Sequence, residues 1–161
     1  MRSGDILSSR EKRDLSELLE KQWGIDVPKE MREQVWLLNA EDRLFLCTRD
    51  FGRLAYEKLR LERLGIYIAT MHRGELRLSV EGSQMLGPLA KKNIVELDAK
   101  EAHLWLQGED IVKDAVAAEQ RAFVLIRHKA DFLGCGKLSD GKILNFVPKE
   151  RRLKQSAEPF L

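Results

Sequence analysis

Residues 136–142 resemble a nucleotide-binding motif, because their glycines and lysine have the spacing of a phosphate-binding loop. Such a loop also needs a strand before it, a helix after it, and a serine or threonine after the lysine to hold magnesium. Here Ile143 follows Lys142, and the next residues are typical of a strand. Asp140-Gly141 between two apolar runs predicts a hairpin turn instead. We therefore expect no nucleotide-binding site here.

The histidines and cysteines form neither a metal-binding nor a nucleophile pattern. His72, His103 and His128 each lack a second His, Cys or Asp at a metal-ligand spacing. Cys47 and Cys135 lie in apolar, strand-like stretches, which predicts buried, reduced thiols. The nucleophile-elbow sequence G-x-S-x-G does not occur. We therefore predict no catalytic residue, no metal, no cofactor and a protein that is not an enzyme.

Basic residues are concentrated near the end of the chain. The net charge is only +2, yet residues 121–154 contain nine Lys and Arg against three acids. This asymmetry favours a polyanionic partner such as RNA, and a solvated lysine surface is the alternative. Arg127 and Lys129 are predicted to end one strand and Lys137 another, and cations at strand ends can converge to neutralise phosphates. The candidate RNA-binding residues are Lys91, Lys92, Arg127, Lys129, Lys137, Lys149, Arg151, Arg152 and Lys154.

Apolar spacing predicts the N-terminal elements. Leu15, Leu19 and Trp23 belong to the stripe of an amphipathic helix, which Gly24 ends. Strand-like pairs predict two hairpins, over residues 34–48 and 66–78. Two more helices are expected, one from Phe51 to about Leu64 with Asp50 as its cap, and a short one over residues 80–86.

The C-terminal part has the pattern of a small sheet with one helix. The predicted elements are a strand over 93–97, a helix over 99–107 with Asp98 as its cap, a strand over 122–126 and a hairpin over 132–147. Phe132 and Phe146 alternate with leucines, which favours core packing, although an exposed ring would be able to stack on a base.

This C-terminal part resembles a PUA domain, the RNA-binding module of pseudouridine synthases and archaeosine transglycosylases. Residues 93–102 resemble the opening strand and helix of that family, and residues 106–111 its helix-ending glycine and apolar turn. Residues 132–138 resemble its glycine-marked strand. The sequence departs from the family at residues 112–115, which replace a glycine-rich turn.

Two further resemblances extend beyond this module. Residues 76–80 and 86–90 are similar to the domain junction of the Nip-type ribosome-biogenesis proteins, which pair a small α/β domain with a C-terminal PUA domain. Residues 145–153 look like the PUA-like part of Nol/Nop/Sun-type RNA cytosine methyltransferases. Those enzymes also carry a methyl-donor-binding domain, for which this chain has no room. The resemblance therefore implies RNA binding without methyl transfer.

We predict an α+β protein with a small α/β N-terminal domain over residues 1–88. A PUA-like mixed β-barrel over residues 91–154 and a tail over 155–161 would follow. The expected function is non-catalytic binding of structured rRNA or tRNA in ribosome biogenesis or RNA modification, through phosphate neutralisation and shape. The alternatives are a protein–protein adaptor in ribosome assembly and an accessory subunit of an RNA-modifying enzyme.

The expected partners are that RNA and a ribosome-assembly or RNA-modification protein. No run of about 18 apolar residues occurs, so no membrane partner is expected. The charged N-terminus lacks the pattern of a secretion signal, which predicts a cytoplasmic protein.

Overall fold

A computed structural model describes residues 5–50, 65–114 and 117–155 as two five-stranded sheets with helices packed against them. The α+β fold class predicted from the sequence is confirmed. The helix predicted from Phe51 lies outside the described residues, as does the tail beyond residue 155. The elements are, in chain order, β1 (Asp5–Ile6), α1 (Ser9–Trp23), α2 (Lys29–Arg32), β2 (Val35–Leu38), β3 (Arg43–Cys47), β4 (Ile66–His72), β5 (Glu75–Leu78), α3 (Val80–Leu86), β6 (Ile94–Glu96), α4 (Ala99–Leu106), β7 (Ile111–Val112), β8 (Phe123–His128), β9 (Asp131–Ser139) and β10 (Lys142–Asn145).

The first sheet is antiparallel, with the strand order β1-β2-β3-β4-β5. Both predicted hairpins are confirmed. The β4–β5 turn places Arg73 at φ 51° and Gly74 at φ 79°, the positive values that a two-residue hairpin requires. Helix α1 begins at a capping box between Ser8 and Glu11 and ends at Gly24, which has φ 66°.

The elements that precede β6 form what we call the first half of the protein, and two of them were not predicted. Strand β1 has only two residues, too few to show an alternating pattern. Helix α2 has only four residues and begins directly after Pro28. Proline is tolerated at the start of a helix, because the first N–H groups have no partner within the helix.

The second sheet is mixed, with the strand order β6-β8-β9-β10-β7. Strand β6 is parallel to β8, and the other pairs are antiparallel. Asp98 and Glu101 form the capping box of α4, as the sequence predicted for Asp98. The β9–β10 turn places Asp140 and Gly141 at φ 48° and 76°. The segment that fits a phosphate-binding loop is therefore part of a hairpin.

The last turn of α1 joins the two sheets. The buried Trp23 indole N–H donates to the Phe123 carbonyl at 3.0 Å, and the Trp23 carbonyl accepts from the Lys91 backbone N–H at 2.8 Å. The Gln22 side chain bonds both the N–H and the carbonyl of Leu76, at 2.7 and 2.9 Å. Gln22 and Trp23 thereby contact β5, β8 and the segment that leads into β6.

One buried apolar cluster extends across both sheets. It contains Trp23, Leu76 and Leu86 together with Phe123 and Phe132 from the second sheet. The predicted boundary near residues 89–90 stays a prediction, and the parts on either side of it share this core.

We predict that Trp23→Phe lowers the free energy of unfolding by about 1–3 kcal/mol, because it removes a buried hydrogen-bond donor. Urea unfolding would measure this change. Amide exchange should also accelerate in β8. Trp36→Phe is the matched control, because it removes an indole hydrogen bond to Met31 within the first half. Unchanged β8 exchange in Trp23→Phe would contradict the joining role.

Candidate nucleic-acid interface

Arg127 and Lys129 meet at one carboxylate. The Arg127 Nε donates to Glu96 at 2.6 Å, and the Lys129 backbone N–H donates to the other Glu96 oxygen at 2.7 Å. Partial burial raises the pKa of Glu96, but hydrogen bonds from Arg127 and Lys129 outweigh it, so the pKa is lower than its ordinary value of 4.5. Glu96 thus fixes the Arg127 guanidinium and leaves the exposed Lys129 side chain towards solvent.

Lys137 lies inside β9, between its cross-strand neighbours Phe123 and Leu144. The prediction that it ends a strand is wrong, because the strand pairing continues to Ser139. Its ammonium is 2.9 Å from a Glu75 oxygen and 4.0 Å from the centre of the Phe123 ring. Lys137 is therefore held by β5 of the first sheet.

The basic segment after β10 forms a short 3-10 helix, Lys149–Arg151. Arg151 makes an ion pair with Glu81 in the first turn of α3. The Arg152 Nε donates to the Val147 carbonyl at 3.0 Å, and its side chain covers Gly108 at the end of α4. Arg152 therefore positions this segment, while the Lys149 and Lys154 side chains are exposed.

Lys91 and Lys92 lie beside the end of α1, where both backbone N–H groups donate to Trp23. Lys92 makes an exposed ion pair with Glu119 at 3.1 Å. A neighbouring cleft has a volume of about 340 Å³. It is lined by Lys21, Gln22, Glu75, Asn93, Glu119, Gln120, Arg121, Ala122, Phe123 and Lys137.

The nine predicted cations are distributed over four places. Arg127 and Lys129 share Glu96, and Lys137 lies at Glu75. The two remaining places are the end of α1, with Lys91 and Lys92, and the segment 149–154. Among the described residues, no acid forms an ion pair with Lys91, Lys129, Lys149, Arg152 or Lys154.

The two aromatic rings considered for stacking differ in exposure. Phe132 is 6% exposed and packs against Gly87, whereas Phe146 is 37% exposed. The Arg77 guanidinium lies 4.7 Å from the centre of the Phe146 ring. Arg77 was not predicted as a site residue. Its position between the buried Leu76 and Leu78 on β5 is the pattern that marks an outward-facing strand residue.

The two cysteines are buried, as predicted, and they form no disulfide with each other. Burial raises the pKa of the Cys135 thiol to about 12, which keeps it protonated and unreactive. Within the described ranges, no three His, Cys, Asp or Glu residues are grouped closely enough to hold a metal ion. None of the helices in those ranges is both long and apolar enough to cross a membrane.

The part of the chain that contains the second sheet and α4 is similar to a known protein family. Residues 92–153 match the family described as the methyltransferase RsmF PUA domain. Because of this similarity, we call residues 92–153 the PUA-like domain. The match agrees with the resemblance to the Nol/Nop/Sun-type enzymes. Seven of the nine candidate cations lie within the PUA-like domain, and Lys91 and Lys154 flank it.

Relatives extend the similarity beyond the PUA-like domain. The chain is 29% identical over 143 residues to ribosomal RNA small subunit methyltransferase F of Vibrio cholerae, which covers 89% of the chain and 29% of that protein. The protein of the same name from Vibrio parahaemolyticus is 28% identical over 146 residues, covering 89% of the chain and 30% of the relative. That from Aeromonas salmonicida is 29% identical over 114 residues, covering 71% and 23%. The chain thus spans less than a third of these relatives.

The prediction that the protein is not an enzyme is wrong, because these relatives are named as methyltransferases. The prediction relied on the absence of catalytic motifs from these 161 residues. Since the chain matches less than a third of each relative, that absence carries no information about the activity of the family.

We predict that Glu96→Gln lowers the free energy of unfolding at pH 7 by about 0.5 kcal/mol, because half-exposed ion pairs contribute little. The pKa of Glu96 is lower in the folded state, so its stabilisation is complete above pH 4.5 and is lost as the pH falls below that value. The gap between wild type and variant should therefore close in acid. Denaturant titrations from pH 7 to pH 3 would measure it, with the exposed Glu17→Gln as control. A gap independent of pH would contradict the assignment.

Proposed function

We propose that this chain binds ribosomal RNA as the PUA-containing part of an rRNA-methylating enzyme. The observation that carries the proposal is the PUA-like domain, which contains most of the candidate cations. The similarity to proteins named small-subunit rRNA methyltransferases favours rRNA over tRNA as the ligand. The cytoplasmic location predicted from the sequence belongs to the same proposal. A ribosome-assembly or RNA-modification protein as partner stays a prediction.

The candidate cations are expected to contribute unequally to RNA binding. Arg127, Lys137 and Arg151 each face a carboxylate, which offsets part of their attraction for phosphate. The exposed side chains of Lys129, Lys149 and Lys154 make no ion pair in the described part of the chain. Each phosphate that they neutralise releases a counterion, so binding should weaken steeply with salt. The paired arginines would mainly provide fixed geometry.

The mechanism that we propose is recognition of RNA shape through phosphate contacts. RNA helices present their backbone and 2′-hydroxyls more readily than their base edges. Lysines on exposed turns and ends can follow such a backbone without reading its sequence.

We predict that Lys129→Ala/Lys149→Ala/Lys154→Ala binds a small-subunit rRNA fragment more weakly than wild type does. The slope of log affinity against log salt should become shallower by about 2, because each lost phosphate contact removes roughly 0.7–0.9 from it. Fluorescence anisotropy across a salt series would measure both quantities.

The matched control is Arg10→Ala/Arg13→Ala/Lys29→Ala, which removes the same charge from exposed positions of the first half. An equal loss in the control would assign the effect to net charge alone. If wild type fails to bind rRNA even at low salt, the proposed function is wrong for that RNA, and the protein-adaptor alternative would lead.

We also predict that Glu81→Gln tightens rRNA binding by about 2- to 5-fold at low salt, because it removes the acid that faces Arg151. The gain should disappear at high salt. Glu17→Gln, which changes the net charge equally at an exposed site on α1, should have a smaller effect. Equal effects would show that Glu81 does not restrain Arg151.

A further inference from the structure

Residues 75–81, which we call the edge segment, face the PUA-like domain through three side chains. Glu75 pairs with Lys137, Arg77 lies over Phe146, and Glu81 pairs with Arg151. The edge segment contains β5 and the first residues of α3. The three contacts therefore follow one border between the first sheet and the PUA-like domain.

Phe146 is the unusual member of this border. The other described phenylalanines, Phe45, Phe123 and Phe132, are at most 6% exposed, whereas Phe146 is 37% exposed. Its ring contacts Phe123 at 6.2 Å between centroids, with the two planes tilted by 51°. The ring is therefore packed against Phe123 while part of its surface stays accessible to solvent.

Arg77 places a positive charge over this ring. Its guanidinium is 4.7 Å from the Phe146 ring centre and is partly exposed. A guanidinium plane and an aromatic ring are the two protein groups on which unpaired RNA bases stack. A cation beside the ring also attracts the phosphate chain that carries the base.

A phosphate-binding side chain is available close to this ring. Lys149 is exposed and follows Phe146 by three residues, which places their Cα atoms within about 11 Å. That span is comparable with one or two nucleotides of backbone. A base at Phe146 would therefore have a cation within reach of its neighbouring phosphates.

From this arrangement we propose that Phe146 and Arg77 form a stacking site for one unpaired base of the bound RNA. The inference rests on the proposed function and adds a ligand class to it, namely RNA with an unpaired nucleotide beside a helix. Stacking tolerates any base, because every base has a π-face. The site contains one residue from each half of the protein, so the PUA-like domain alone would lack Arg77.

The test compares three RNA hairpins with the same stem. One has a single bulged adenosine, one has an abasic residue at the bulge, and one is fully paired. Wild type should bind the adenosine bulge about 10-fold more tightly than either of the others. A 2-aminopurine at the bulge should lose fluorescence on binding, which requires no variant protein.

The variants separate stacking from charge and from packing. Phe146→Leu keeps an apolar side chain and Arg77→Lys keeps the charge, yet each removes a planar group. Both should lose the 10-fold preference while keeping the affinity of wild type for the paired hairpin. Phe146→Tyr should retain the preference, because its ring can still stack.

The outcomes distinguish this inference from the proposed function. Equal affinity of wild type for the adenosine and abasic bulges, without quenching, would overturn the stacking site, although binding of the paired hairpin would still support RNA binding. Failure to bind any of the three hairpins or rRNA would overturn both. A preference that persists in Phe146→Leu and Arg77→Lys would place the stacking elsewhere, and a protein contact would then better explain the exposed ring.

Discussion

The arrangement of the molecule depends on the last turn of α1, where Gln22 and Trp23 bond to both halves of the protein. The indole of Trp23 bonds Phe123 at the start of β8, and its carbonyl accepts from the backbone that leads into β6. Buried backbone groups need partners, so these bonds are costly to lose. Hydrogen bonds are also directional, whereas apolar contacts are not. These hydrogen bonds therefore fix the orientation of the two sheets relative to each other, in addition to holding them together.

That orientation determines which side chains the PUA-like domain would present to the proposed RNA ligand. Gln22 bonds both backbone groups of Leu76, which holds β5 beside the second sheet. The edge segment then brings Glu75, Arg77 and Glu81 to the border. Each of these meets a cation or ring of the PUA-like domain. The first half is thus part of the proposed RNA surface as well as its support.

Pairing with carboxylates gives the cations two different roles. Arg127 and Arg151 are held by Glu96 and Glu81, so less side-chain freedom would be lost when a phosphate binds. The same carboxylates reduce the local positive charge. Lysines whose side chains make no ion pair in the described structure would supply long-range attraction and little fixed geometry. A surface with both kinds combines attraction with orientation.

Local sequence determined much of the fold. The helix from Ser9 to Trp23 follows from its apolar stripe and its caps, and the hairpins at Arg73-Gly74 and Asp140-Gly141 follow from turn geometry, because neighbouring residues fix these features. The PUA resemblance likewise followed from segments of contiguous sequence, and it is confirmed by the family match. The expectation of a non-enzyme failed because missing motifs in one stretch say nothing about a longer relative. Only tertiary structure decided that Lys137 lies inside a strand, that Arg152 packs on Gly108, and that Arg77 meets an exposed Phe146. These contacts join residues far apart in the chain, and side-chain exposure depends on which neighbouring element covers each face, which no local pattern encodes.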